Sequence, residues 1–148
     1  MDQAQSPHSV LFACNLNRVR SVMAAALLDR THGRRIVVDS CGLLPGEGID
    51  PFAWAVMAEM GIDLTDHAPK TFKELDPRQF ELVVALTPET ERYGQDCLTS
   101  VAQEYWPIPD PTVFEGAREQ RLDAYRAVRD ELAQRLAERF PVPTAISK

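Results

Sequence analysis

The stretch Cys14-Asn15-Leu16-Asn17-Arg18-Val19-Arg20-Ser21 places a thiol, a guanidinium and a hydroxyl close together in the chain. A cysteine thiolate is a strong nucleophile. An arginine fork grips two oxygens of a phosphate or a similar tetrahedral oxyanion. Together they read as a nucleophile set under a bound anion. The bland alternative is a packed thiol at a strand end, the common fate of a free cysteine. Neither Cys41 nor Cys97 has an arginine at the same spacing.

The flanking elements must position this stretch. Before it runs Ser9-Val10-Leu11-Phe12-Ala13, an apolar run of strand type; after it runs Val22-Met23-Ala24-Ala25-Ala26-Leu27-Leu28, a helix former. The thiol therefore sits where a strand stops and a helix starts. A loop wrapped into a helix N-terminus points its N–H groups inward, seats an anion and favours a thiolate.

The rest of the chain repeats strand and helix. The first helix is expected to run to about His32, with Gly33 as its stop. Residues 35–41 read as a second strand. Asp50-Pro51 opens a helix in which Phe52, Trp54, Val56, Met57 and Met60 are expected in the core, and Gly61 ends it. Residues 62–75 look irregular. Residues 80–86 form a third strand, Thr87-Pro88 opens a helix to about Leu98, and residues 104–108 hold a short fourth strand. Pro109-Asp110-Pro111-Thr112 is a rigid loop. The longest helix covers 115–139, with Leu122, Tyr125, Val128, Leu132 and Leu136 as its buried stripe. Its arginines alternate with acids, which is the pattern of a solvated face.

This alternation predicts an α/β fold: a single-domain three-layer sandwich with a four-stranded parallel sheet and helices on both faces. The domain is expected over 9–140, between a flexible tail at 1–8 and a C-terminal tail at 141–148. Ligands in such folds sit at the carboxyl ends of the strands. Cys14 ends the first strand and Asp110 lies beyond the last, so the two can face each other across one crevice.

A chain of 148 residues suffices for one domain with a real core. A net charge of -6 argues against nucleic acid as a partner. No apolar stretch suits a membrane, and the N-terminus has no basic segment leading into an apolar one, so no signal peptide is expected. Three cysteines without framework spacing point to a reducing compartment, the cytoplasm. There is no CxxC and no HExxH, so neither a metal nor another cofactor is expected. His8, His32 and His67 are expected in solvent, and Cys41 and Cys97 as packed or idle thiols.

The segment from Cys14 to Ser21 resembles the phosphate loop of the low-molecular-weight protein tyrosine phosphatases. Asp110-Pro111 ahead of a long last helix is similar to the same family, as are Asp39-Ser40-Cys41-Gly42 and Gly61-Ile62-Asp63-Leu64. The likeness covers about 10–139. It implies a metal-independent phosphomonoester hydrolase acting through a phosphocysteine intermediate. Cys14 would be the nucleophile, Arg20 would bind the equatorial oxygens and Asp110 would serve as acid, then base. Asn15, Leu16, Asn17, Arg18, Val19 and Ser21 would complete the loop, with Ser21 on the thiolate, Asn17 holding the loop's shape and Arg18 on its rim. The substrate would be a phosphorylated protein or a small phosphomonoester. The sequence does not fix the oligomeric state; a monomer is expected.

Four positions depart from the family pattern. Leu16 stands where glycine is common, and Val19 where a second cysteine is frequent. Thr112 replaces an aromatic residue, and the loop after Gly42 lacks another. The last two changes remove walls on which a phenyl ring would stack. Two rivals use the same fold: an arsenate reductase, which as an internal thiol relay needs two further closely spaced cysteines, and a non-catalytic phosphoanion-binding regulator.

Overall fold

The computed structural model describes residues 7–142. Four strands, β1 (Ser9–Cys14), β2 (Val37–Gly42), β3 (Leu82–Ala85) and β4 (Ala102–Tyr105), alternate with four helices, α1 (Arg20–His32), α2 (Pro51–Ala58), α3 (Pro88–Cys97) and α4 (Arg118–Arg139). The strands form one parallel sheet in the order β2-β1-β3-β4. The expected architecture is present.

β1 lies inside the sheet, and its side chains serve two cores. Val10, Phe12 and Cys14 pack into the larger core with α1, α2 and α4, whereas Leu11 and Ala13 pack on the other face with Cys41, Phe72 and Val83. A strand covered on both faces needs the unbroken apolar run seen in the sequence. Tyr93 and Leu98, in and after α3, cover the second face, where Phe72 and Tyr93 stack with centroids 4.3 Å apart.

The helix starts follow local chemistry. Asp50 caps α2 by accepting from the N–H groups of Phe52 and Ala53, with Pro51 at the first helical position. Thr87 caps α3 by accepting from the Thr90 N–H. α1 differs, because Val19 offers no side-chain cap.

Several boundaries and burials depart from expectation. α4 starts at Arg118 rather than near residue 115, because Gly116 takes a φ of 148° outside the helical region. β2 starts at Val37, since Arg35 and Ile36 fold back to donate to the His32 carbonyl. β4 lies earlier than expected, at Ala102–Tyr105, ahead of the Trp106-Pro107 pair. Trp54 is not core: it is 41% exposed and donates from Nε1 to Thr65 Oγ1 at 3.1 Å. His32 is buried, not solvated, against Phe140. The expected tails fall largely outside the described residues. Within them His8 is anchored, its N–H donating to Glu81 Oε1 at 2.8 Å and its carbonyl accepting from the Val37 N–H.

Candidate active site

The turn after β1 is built by Asn17. Its φ of 56° makes it the one described non-glycine residue in the left-handed region, where asparagine is tolerated. Leu16 sits at ordinary φ, so the loop forms there without glycine. The Asn17 side chain is buried, and its Nδ2 donates to Ser21 Oγ and Ser40 Oγ, both at 2.9 Å. Its Oδ1 accepts from the Lys70 N–H at 3.0 Å. Its carbonyl accepts from His67 Nε2 at 2.8 Å. No buried side-chain N or O among the described residues lacks a partner, so this polar network is satisfied, as a rigid one must be.

β2 supports the same turn from beside it. Leu43 and Leu44 donate to the Asn15 carbonyl, each at 3.0 Å, and Gly46 donates to the Leu16 carbonyl. Gly42 must be glycine here: a Cβ would lie 2.9 Å from the Asn17 nitrogen and 3.0 Å from the Asn15 carbonyl oxygen. Asn15 ties the loop to α3, its Oδ1 accepting from Thr87 Oγ1 at 2.8 Å and its Nδ2 donating to Glu89 at 3.3 Å.

With the carbonyls of Asn15, Leu16 and Asn17 engaged, the loop keeps its donors free. Among the described residues, the N–H groups of Leu16, Arg18, Val19 and Arg20 have no protein acceptor. Ser21 N–H lies 3.4 Å from Cys14 Sγ, and Ser21 Oγ lies 2.9 Å from it. An uncapped helix that begins with arginine breaks the usual preference for acids in the first turn. Such a local violation is expected where the N-terminus serves a ligand.

Cys14, Asn15, Leu16, Arg18, Val19 and Arg20 line a pocket of about 250 Å³ together with Asp110, Thr112 and Arg121. Arg20 NH1 donates to the Ile108 carbonyl at 2.9 Å, and NH2 lies 3.8 Å from Asp110 Oδ2. Asp110 Oδ1 accepts from the Thr112 N–H at 2.9 Å and from Thr112 Oγ1 at 2.6 Å, which fixes the carboxyl at the start of a 3-10 turn (Pro111–Val113). Arg18 rims the loop, its Nε donating to the Gly48 carbonyl at 2.7 Å. Val19 is buried. Six of the loop positions singled out in the sequence thus meet at one pocket, while Asn17 and Ser21 are buried and bond within the loop.

The structure adds residues that the sequence did not single out. Ser40 and Lys70 hold Asn17, and Lys70 Nζ also lies 2.7 Å from Asp39 Oδ1. His67 sits behind the loop rather than in solvent. Burial, above all, pushes its pKa below the usual 6.5, with Lys70 acting the same way; the Asn17 bond and Asp39 oppose this. Asp50 reaches the pocket from α2's cap and accepts from Tyr125 OH at 3.0 Å. Burial first, then Asp50, raises the Tyr125 phenol above its ordinary range. A tyrosine on a buried stripe requires such a polar partner, and that was the available signal.

A seat of this kind, where an inner parallel strand runs into an uncapped helix, defines a cysteine-based enzyme of the phosphatase fold. The sequence matches the low molecular weight phosphotyrosine protein phosphatase family over residues 9–145, and the chain belongs to that family. An arsenate reductase of Bacillus subtilis is 29% identical over 129 residues, spanning 87% of this chain and 92% of that protein. The crystal structure of an arsenate reductase from Archaeoglobus fulgidus superposes with a TM-score of 0.69 at 26% identity, covering 87% of this chain and 96% of that one. A tyrosine phosphatase of Erwinia amylovora shares the fold with a TM-score of 0.74 at 23% identity, covering 90% and 91%. Among the described residues no cluster of His, Cys, Asp or Glu could hold a metal, and no helix is long and apolar enough to cross a membrane.

Proposed function

We propose that this protein hydrolyses phosphomonoesters through a phosphocysteine intermediate. The observation that carries this reading is Asp110, held beside Arg20 at the rim of the pocket in which Cys14 lies. Attack of Cys14 on a phosphomonoester expels the ester oxygen, and a carboxyl so placed can protonate it.

In the first step the Cys14 sulfur attacks phosphorus and the ester oxygen departs with a proton from Asp110. In the second, Asp110 takes a proton from water, the water oxygen attacks phosphorus, and Cys14 leaves as thiolate with release of inorganic phosphate. Arg20 and the free loop N–H groups bear the charge of the equatorial oxygens, so positioning and a fixed positive field supply the catalysis. Ser21 holds the departing sulfur.

A second reading, arsenate reduction, rests on relatives such as that of Bacillus subtilis. An internal thiol relay is poorly served here. Cys41 packs on the sheet face opposite Cys14, and Cys97 is exposed on α3. Turnover of 4-nitrophenyl phosphate in a chelating buffer tests the proposal. Cys14→Ser is expected to abolish it while retaining phosphate binding, and Arg20→Lys to impair it severely, because an ammonium cannot make the paired contact. Absence of ester cleavage, with arsenate-dependent oxidation of an added dithiol, would replace this reading with the second.

A further inference from the structure

The polar face of α4 is not uniform. Arg126 and Arg129 lie 2.7 and 2.9 Å from Glu59, Arg135 lies 3.8 Å from Glu131, and Arg139 lies 2.8 Å from Glu104. Arg118 and Arg121, in the first turn of the same helix, have no carboxylate partner among the described residues. Both instead rest on Phe52, with guanidinium carbons 5.5 and 4.4 Å from its ring centroid. Phe52 is itself fixed, edge-on to Tyr125 at 5.4 Å, and Tyr125 is tied to Asp50. Arg121 is therefore stacked on a rigid platform while its hydrogen-bonding edge stays unspent.

Arg121 also lines the pocket that contains Cys14 and Asp110. Arg18 lines it too, using only Nε on the Gly48 carbonyl. The two carboxylates of the pocket do not consume these charges. Asp50 accepts from Phe52 N–H, Ala53 N–H and Tyr125 OH, and Asp110 Oδ1 from Thr112. Arg20 belongs to the reacting phosphoryl group. Two guanidiniums therefore remain on the pocket wall in a chain of net charge -6. Thr112 lines the same wall and supplies no ring for a phenyl group.

We infer that Arg121 is a specificity-determining residue that receives a second anionic group on the leaving side of the substrate, which makes the preferred substrate a small phosphomonoester carrying a carboxylate or a second phosphate. This deepens the hydrolase reading and rests on it for turnover, but the binding preference stands on geometry alone. A pocket of about 250 Å³ holds a phosphoryl group and a small leaving group, which favours a small molecule over a peptide.

The test compares 4-nitrophenyl phosphate with its ring-carboxylated analogue, 3-carboxy-4-nitrophenyl phosphate, whose leaving group is of similar acidity. The carboxylated ester is expected to have the higher kcat/KM by about tenfold at low salt, mostly through KM, and the advantage to shrink as ionic strength rises. In Arg121→Gln the ratio is expected to fall to about one, and in Arg121→Lys to stay between these values. Calorimetry on Cys14→Ser protein with phenyl phosphate and 3-carboxyphenyl phosphate reads the same preference without turnover. A preference there that Arg121→Gln abolishes upholds the inference even if no ester is cleaved, in which case only the hydrolase reading falls. Equal binding of the two ligands, or a preference that survives Arg121→Gln, overturns it. An Arg121-dependent gain seen with an acidic phosphotyrosine peptide but not with the carboxylated ester would assign the wall to protein substrates and overturn the small-molecule class.

Discussion

Ser21 Oγ lies 2.9 Å from Cys14 Sγ and, on its other side, 2.9 Å from the Asn17 amide nitrogen. The amide can only donate, so it occupies a lone pair of the hydroxyl and leaves the Ser21 proton to point at sulfur. The direction of this bond is thereby set by Asn17. Because sulfur is the leaving group in the second step of the proposed hydrolysis, Ser21→Ala is expected to slow that step more than the first. Stopped-flow release of nitrophenol is expected to show a burst followed by a steady rate lowered by about tenfold or more. A proportional loss in both phases would mean that Ser21 only shapes the loop.

Asp110→Asn is expected to hurt most with alkyl phosphates and least with nitrophenyl phosphate, since a good leaving group needs little protonation. Plotting rate against leaving-group acidity for both proteins checks this. An unchanged slope would remove Asp110 from the acid role, whatever its distance from Arg20.

Peroxide is expected to inactivate the protein without recovery. Val19 supplies no second thiol in the loop. Cys41 pairs in register with Ala13, so its side chain faces the other core, away from Cys14. Burial, chiefly, together with Cys14 and Asp39, holds the Cys41 thiol protonated, making it a poor partner for a sulfenic acid. Excess peroxide should therefore carry Cys14 on to sulfinic acid, which thiols do not reduce. Mass spectrometry finding a Cys14–Cys41 linked peptide, with activity restored by dithiothreitol, would contradict this.

His67 makes the fold sensitive to mild acid. Its folded pKa lies below the ordinary 6.5. The unfolded chain therefore takes up the proton first as pH falls. Stability is present in full above 6.5 and declines as pH drops below it, levelling once the folded form is also protonated. Urea midpoints measured between pH 7.5 and 5 are expected to show this slope in the wild-type protein and a shallower one in His67→Gln.

Tyr125→Phe is expected to lower stability by about 1–3 kcal/mol, because it leaves Asp50 Oδ2 buried without its phenol donor. Asp50→Ala would add the loss of α2's cap, about 1 kcal/mol more. Chemical denaturation of both variants checks the order.

The loop and the sheet were legible because their signals are local. The Cys14–Arg20 spacing, the apolar run before it and the helix former after it all lie within one strand–turn–helix unit. Asp110 was legible because Asp-Pro starts turns and followed the last strand. Arg121 was hidden in the arginine-acid alternation of α4, where only the folded structure separates paired from unpaired guanidiniums. His67 and Lys70 lie in an irregular segment, and their bonds to Asn17 span 50 and 53 positions of sequence. Trp54 was misplaced because its large apolar ring fits the core pattern, while its N–H goes to Thr65 at the surface.

The placement of β1 inside the sheet has a consequence for biosynthesis. The loop's support from Lys70 comes 53 residues later, and Arg20's anchor at Ile108 comes 88 residues later. A ribosome adds roughly 5–20 residues per second, so for several seconds at least the nascent chain carries Cys14 without β3 beside it and without Arg20's anchor. Through that interval the sulfur is an ordinary accessible thiol. The seat proposed for a tetrahedral anion is complete only when β3 and the segment after β4 have joined the sheet.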